Sequence, residues 1–236
     1  MLQDIFTQGT LEMSATPLPA LESAAKWSDL LSNRIIAVAV IFIILIDLPD
    51  LIGTFPHILD CMTNKRGSTR VEHSPSIARS RNSSAIIMAL AWCLLADRFG
   101  FYRPQFLSWL PDWAGPVAMA VLVIAFLVLR RILLMVIRPR SLATEEGKAA
   151  HRVLYTFFIV TVLIQLATAG TLLLLHVGDS VIRTVLLVEM VPMWLLALVR
   201  IAQILGGRFS GLESFLYLCG LEIVPAAAVV ASAVLL

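Results

Sequence analysis

The sequence predicts an all-α membrane protein: a six-helix transmembrane bundle with kinked helices and both termini on the non-cytoplasmic side. Of its 236 residues, 59% are apolar and only 14% are charged, whereas globular proteins contain about 45–50% and about 25%. The mean hydropathy of +0.88 is too high for a single water-soluble core of this size. The formal net charge of +2 is too small to indicate a nucleic-acid partner.

Six apolar segments approach the length needed to cross a bilayer. A transmembrane helix needs about 20 largely apolar residues, because each residue rises ~1.5 Å through ~30 Å of hydrocarbon. Continuous runs of Val and Ile favour helices over the shorter, alternating strands of a barrel. The second segment is the weakest, with twelve apolar residues before Asp97 and Arg98. The predicted spans are 35–55, 85–101, 115–137, 153–175, 181–205 and 215–236.

Two more polar regions flank the first span of the transmembrane domain, 35–236. Residues 1–34 lack the basic start and apolar core of a signal peptide. They are expected to form an N-terminal segment with one short interfacial helix at 20–32. Residues 56–84 predict a basic cytoplasmic loop whose charge sets the topology. Binding of anionic lipid or ribosomal RNA by this loop is the less favoured alternative.

The distribution of basic residues predicts the orientation. Thirteen of the 18 Lys and Arg residues lie in or beside the loops that join spans one and two, three and four, and five and six. Cytoplasmic loops carry the excess of Lys and Arg in membrane proteins. Both termini are therefore expected outside the cytoplasm, and the aromatic stretch 99–113 is expected at the outer interface.

Ionisable residues inside the spans predict an intramembrane polar site. Such groups cost ~2.5–3.5 kcal/mol each at the bilayer centre, so they usually face the interior of a bundle. Counting ~1.5 Å per residue places five of them ~8–12 Å from the cytoplasmic ends of their spans. We expect Arg200 to pair with Glu222, because helices joined by a short connection usually pack side by side. The five residues are Asp47, Asp50, Arg130, Arg200 and Glu222.

Glu189 belongs to the predicted site but lies apart from this layer. It is ~12 Å from the outer end of the fifth span, and Arg98 is the only basic residue near that depth. Gln165 on the fourth span is a candidate neutral hydrogen-bond partner. An isolated acid in such a place is expected to be in its neutral form.

Prolines beside these acids predict helix kinks. Glu189 precedes Pro192 by three residues, and Glu222 precedes Pro225 by three. Pro49 stands between two aspartates. Proline frees the carbonyl four residues back, and an acid beside a freed carbonyl is typical of the broken-helix ion sites of transporters. The preferred interpretation is structural: the acids and arginines hold the bundle together.

No catalytic, cofactor or metal site is predicted. The four histidines lie outside the spans or at their edges, where they cannot ligate a haem between helices. The three cysteines lack the spacing of a metal site, and no zinc or nucleophile motif is present. An enzyme acting on a lipid-linked substrate would use Asp47, Asp50 and Arg130, because carboxylates hold metals and Arg binds phosphate.

The run LYLCGLEIVP at 216–225 resembles the most characteristic stretch of a family of small inner-membrane proteins of Bacteroidota, the domain of unknown function 4271 family. Arg200 also matches the family pattern, whereas Gly220 departs from the larger residue expected there. The resemblance covers the last three spans and extends to the others only by layout. It implies a bacterial inner membrane, and it implies no activity. The residues that it groups together are Arg200, Cys219, Glu222 and Pro225.

These observations favour a non-enzymatic inner-membrane protein that is a subunit or scaffold of a cell-envelope complex. Its expected partners are the lipid bilayer and other inner-membrane proteins. The alternative is a small solute or proton-coupled transporter or channel that uses Glu189 and Glu222. An enzyme acting on a lipid-linked substrate is the third possibility.

The predicted topology can be tested with reporter fusions. Reporters inserted near Ser76 and near Glu145 should report the cytoplasm, because the surrounding segments carry the excess of basic residues. A reporter fused after Leu236 should report the opposite side. A cytoplasmic C-terminus would contradict the six-span prediction, most simply because 85–101 does not cross.

Overall fold

The predicted all-helical class is confirmed. The computed structural model of the chain describes residues 27, 29–64, 74–102, 111–137, 145–206 and 218–235, and these contain helices and no strand. A 3₁₀ turn, Asp112–Ala114, precedes the third helix, and a π-helical turn, Leu218–Ile223, precedes the sixth. The α-helices are α1 Leu31–Thr63, α2 Pro75–Arg98, α3 Gly115–Ile137, α4 Glu145–Leu174, α5 Asp179–Leu205 and α6 Val224–Leu235.

Four of these helices are long and apolar enough to cross a membrane. They are α1, α5, the first part of α3 (Gly115–Leu133) and the later part of α4 (Arg152–Leu174). These helices expose many large apolar side chains, and Ile46 on α1 is 68% exposed. Such a surface is costly in water and favourable in lipid. Its residues on α1 and α3 include Val38, Phe42, Leu45, Ile46, Val121 and Ile124.

The central helix is α2, which packs against α1, α3 and α4. Most of its buried side chains are small, and small residues allow neighbouring helices to approach closely. Because three helices surround it, α2 does not need an apolar surface on every side. This explains why the segment with the weakest hydropathy lies in the middle. The small buried residues are Ala78, Ser84, Ala85, Ala91, Cys93 and Ala96.

The apolar core follows this arrangement. The main cluster joins α1, α2 and α4 around Ile58, Met88 and Ile159, each at most 1% exposed. A second cluster packs the early part of α4 against the late part of α5, with Phe157 beside Ala197. The end of α4 packs against the start of α5. The two helices are therefore antiparallel, and they form a layer beside the central helix.

Some helix ends differ from the predicted spans. Residues 56–63 and 75–84 of the predicted loop 56–84 are helical, since α1 continues to Thr63 and α2 begins at Pro75. The extension of α1 buries Ile58 and Cys61, and proline is favoured in the first turn of a helix. The N-terminal helix predicted at 20–32 lies mostly outside the described residues.

The three prolines do not have one common effect. Pro49 and Pro192 lie inside α1 and α5, which remain continuous. Pro225 instead lies in the first turn of α6, directly after the π-helical turn. Because proline has no N–H group for the carbonyl of Leu221, the wider π-helical pattern takes over before it. The predicted kink at Pro225 is therefore a change of helix type.

The end of α2 and the start of α3 meet at Gly115. A Cβ atom at this position would lie 2.0 Å from Oδ1 and 2.7 Å from Cγ of Asp97. Asp97 is only 4% exposed and accepts a hydrogen bond from Trp27, so its short side chain has little freedom to move away. The first residue of α3 therefore has to be glycine for the two helices to keep this distance.

We expect Gly115→Ala to destabilise the protein and Gly170→Ala to be tolerated. The added methyl group at 115 must displace the buried carboxyl of Asp97, which costs about 1–3 kcal/mol. Gly170 has open space around it, and alanine stabilises an exposed helix by up to ~1 kcal/mol. Thermal unfolding in mild detergent measures both. Equal melting temperatures for the two variants would contradict the close contact.

Candidate functional site

Asp47 of the predicted site points into the contact between α1 and α2. Ser84 Oγ donates a hydrogen bond of 2.7 Å to its Oδ2 atom, and both residues are buried. Two turns along, Thr54 and Ser80 form a second contact of 2.9 Å between the same helices. Asp50, by contrast, is exposed. The two aspartates therefore do not form a common site, and Asp47 is engaged in helix packing.

Arg200 connects α5 to the end of α1. Its Nε donates to the backbone carbonyl of Cys61 at 3.1 Å, and its Nη1 donates to Gln203 Oε1 at 2.9 Å. Cys61 lies in the last turn of α1, where helix carbonyls lack partners within the helix. A cation at this end also interacts favourably with the helix dipole. The buried guanidinium thus caps one helix from another.

The predicted pair of Arg200 with Glu222 stays a prediction. Glu222 belongs to the π-helical turn, which packs against α5, but its side chain lies outside the described residues. Nη2 of Arg200 is buried and has no hydrogen-bond partner among the described residues. The Nη2 group of Arg200 is therefore available to donate to a carboxylate such as that of Glu222.

Two further arginines are buried, and sequence reasoning found only one of them. Arg130 of α3 belongs to the predicted site and is 3% exposed. Arg81 of α2 is equally buried, and its Nη2 donates to Asn82 Oδ1 at 3.0 Å. The prediction placed Arg81 in a loop. The signal that it missed is Pro75, because proline is favoured in the first turn of a helix. A helix that begins there includes the polar residues that follow, and Arg81 is among its buried residues.

Glu189 lies between α4 and α5, and its partner is Thr168 rather than Gln165. Thr168 Oγ1 donates to Glu189 Oε1 at 2.8 Å, whereas Gln165 Nε2 donates to the backbone carbonyl of Leu186 at 3.0 Å. Helical side chains lean toward the N-terminus of their own helix. The carboxyl of Glu189 therefore leans one turn away from Gln165, to the level of Thr168.

Pro192 is not part of this contact. Pro192 and Val188, whose carbonyl it frees, are both exposed. Arg98 is also engaged elsewhere, because its guanidinium lies 5.5 Å from the ring centres of both Trp27 and Phe99. The carboxyl of Glu189 is thus turned toward α4, away from the exposed backbone at the proline.

A further polar cluster, which was not predicted, lies where the segment before α1 meets the end of α2. Trp27 Nε1 donates to Asp97 Oδ2 at 2.5 Å, and Asn33 Nδ2 donates to the Trp27 carbonyl at 3.2 Å. Asn33 is fully buried. This cluster joins the segment before α1 to both α1 and α2. The available signal was that Trp27 and Asp97 were both predicted on the non-cytoplasmic side.

The buried polar groups therefore form bonds across several different helix pairs. Such bonds fix the positions of helices relative to one another, because a broken one leaves a polar group unsatisfied in an apolar surrounding.

Within the described part of the chain, no three His, Cys, Asp or Glu residues are grouped so that they could hold a metal ion. A shallow apolar groove on α1 is lined by Leu51, Ile52, Phe55 and Pro56.

Comparisons with known proteins identify no relative. No protein-family model, curated protein or solved structure matches the chain. The function is therefore argued from the buried polar contacts and the arrangement of the helices.

Replacing Ser84 by Ala should destabilise the bundle, because it removes a donor from the buried carboxyl of Asp47. The expected loss is about 1–3 kcal/mol, which lowers the melting temperature by ~2–4 °C per kcal/mol in a chain of this size. Ser83→Ala is the matched control, since Ser83 is exposed on the same helix. Equal unfolding curves for the two variants would contradict a structural role for the Asp47 contact.

Proposed function

We propose that the chain is a non-enzymatic, multi-pass membrane protein that serves as a subunit or scaffold of a cell-envelope complex. One observation carries this proposal: the buried polar side chains bond one helix to another. Asp47 joins α1 to α2, Glu189 joins α5 to α4, and Arg200 joins α5 to α1. These groups are used to hold a fixed shape, as a scaffold requires.

The distribution of these contacts separates the proposal from its alternatives. A transport pathway or an active site brings several polar groups to one space that a substrate can enter. Here the contacts of Asp47, Glu189 and Arg200 lie on three helix pairs, and each has a protein partner. A bundle with bonds distributed in this way resists relative movement of its helices.

We further propose six spans, with both termini outside the cytoplasm. The helix α2 has 24 residues, so it is ~36 Å long and reaches across ~30 Å of hydrocarbon. The π-helical turn and α6 together run from Leu218 to Leu235. The excess of basic residues in three loops supports the orientation. The likeness of 216–225 to the Bacteroidota family supports a bacterial inner membrane.

Co-purification tests the scaffold proposal. The full chain, tagged at one terminus and extracted from its native membrane in mild detergent, should bring down another inner-membrane protein in fixed stoichiometry. The same strain without the tag is the control for adventitious binding. Elution of the chain alone, at the mass of a single protomer in detergent, would contradict the proposal.

A transporter is the second candidate, and one observation favours it. Oε2 of Glu189 is buried and has no hydrogen-bond partner among the described residues. A carboxyl group with one free oxygen inside a membrane bundle is a common element of proton and ion pathways. The distinction between the two candidates therefore depends on whether cellular function requires a charged group at Glu189.

We expect Glu189→Gln to keep both folded yield and cellular function. Glutamine has nearly the same shape and retains an oxygen that accepts the bond from Thr168, but it cannot release a proton or balance an ion. The measurements are the yield in detergent and the growth of a strain that depends on the variant. Normal yield with lost growth would contradict the scaffold and make the transporter the preferred function.

A further inference from the structure

Gln165 and Glu189 take part in two neighbouring contacts between the antiparallel helices α4 and α5. Gln165 and Thr168 are three residues apart on α4, and Leu186 and Glu189 are three residues apart on α5, so the two contacts lie about one helical turn apart. Gln165 reaches the carbonyl of Leu186, and Glu189 reaches Thr168.

Each of these side chains has one oxygen atom that lacks a donor. Oε1 of Gln165 and Oε2 of Glu189 are both buried, and neither has a hydrogen-bond partner among the described residues. Gln165 as a whole is fully buried. An amide oxygen and an ionised carboxylate oxygen can only accept, so they cannot satisfy one another, whereas a protonated Glu189 would donate to Gln165 and need no ion. With Glu189 ionised, the two oxygens need an electropositive species between or beside them.

The charge of Glu189 restricts what that species can be. No basic side chain forms an ion pair with Glu189 within the described ranges, and Arg98 is stacked on Trp27 and Phe99. An apolar cluster where the end of α4 meets the start of α5 includes Phe99, Ala169, Ile182 and Leu186. A water molecule would satisfy both oxygens but would leave the negative charge in an apolar surrounding.

We infer that Gln165 and Glu189 bind a monovalent alkali cation between α4 and α5. Such a hard cation takes oxygen ligands, which Oε1 of Gln165 and Oε2 of Glu189 supply. Its single charge balances the one carboxylate, whereas a divalent ion would leave an excess positive charge. Thr168 is a positioning residue, because its hydroxyl holds the other carboxylate oxygen. This site goes beyond the scaffold proposal and does not depend on it.

Thermal unfolding of the full chain in mild detergent tests the site, with Na⁺ as the probe. The melting temperature in NaCl is compared with that in choline chloride at equal ionic strength and pH. Because a ligand that binds only the folded state stabilises it by mass action, Na⁺ should raise the melting temperature by about 2–4 °C. Equal melting temperatures in the two salts would overturn the inference.

Three variants locate the effect. Glu189→Gln should abolish the difference between the salts, because it removes the balancing charge, and Thr168→Val should reduce it. Thr171→Val is the matched control on the same helix: Thr171 is exposed and bonds only its own helix, at the Ala167 carbonyl. It should keep the full difference.

Each variant is compared with itself in the two salts, so a general loss of stability does not affect the result. A Na⁺ effect that persists in Glu189→Gln would place the ion elsewhere and overturn the assignment. Should Thr168→Val fail to fold, Glu189→Gln and Thr171→Val decide the question. Co-purification of a partner is a separate measurement, so a failed cation site and a failed scaffold are distinguishable.

Discussion

The enclosure of α2 by α1, α3 and α4 is the constraint on which the rest of the bundle depends. A helix surrounded by protein can carry polar side chains at membrane depth only if its neighbours supply partners and come close enough to exclude lipid. The small residues of α2 permit that approach, and Asp47 and Thr54 of α1 supply two of the partners. The outer helices can then be apolar on their remaining surfaces.

The same constraint explains how far the sequence could predict the fold. Helices with an exposed apolar face, such as α1, α4 and α5, are recognised easily, because hydropathy reports directly on contact with lipid. Hydropathy is a poor guide to α2, whose surroundings are set by other helices. The prediction therefore began this helix ten residues late, at 85 rather than at Pro75, and placed Arg81 in a loop.

The candidate site shows a similar division. Depth along a helix follows from residue counting, so Asp47, Arg130 and Arg200 could be identified as buried charges from sequence. Their partners could not, because these depend on rotation about each helix axis. Asp50 is only three residues from Asp47 and yet is exposed. Likewise, Glu189 contacts Thr168 because of the direction in which its side chain leans, a detail that residue counting does not contain.

The contact of Arg200 with the Cys61 carbonyl also has a consequence for the order of assembly. The two residues are separated by 139 positions in the chain, and a membrane protein made by the ribosome delivers its helices to the bilayer one after another. The end of α1 therefore forms without this contact until α5 has been synthesised. A nascent chain shorter than about 200 residues lacks the contact between Arg200 and Cys61. In truncated forms the end of α1 would therefore open more easily and be more accessible to quality-control proteases.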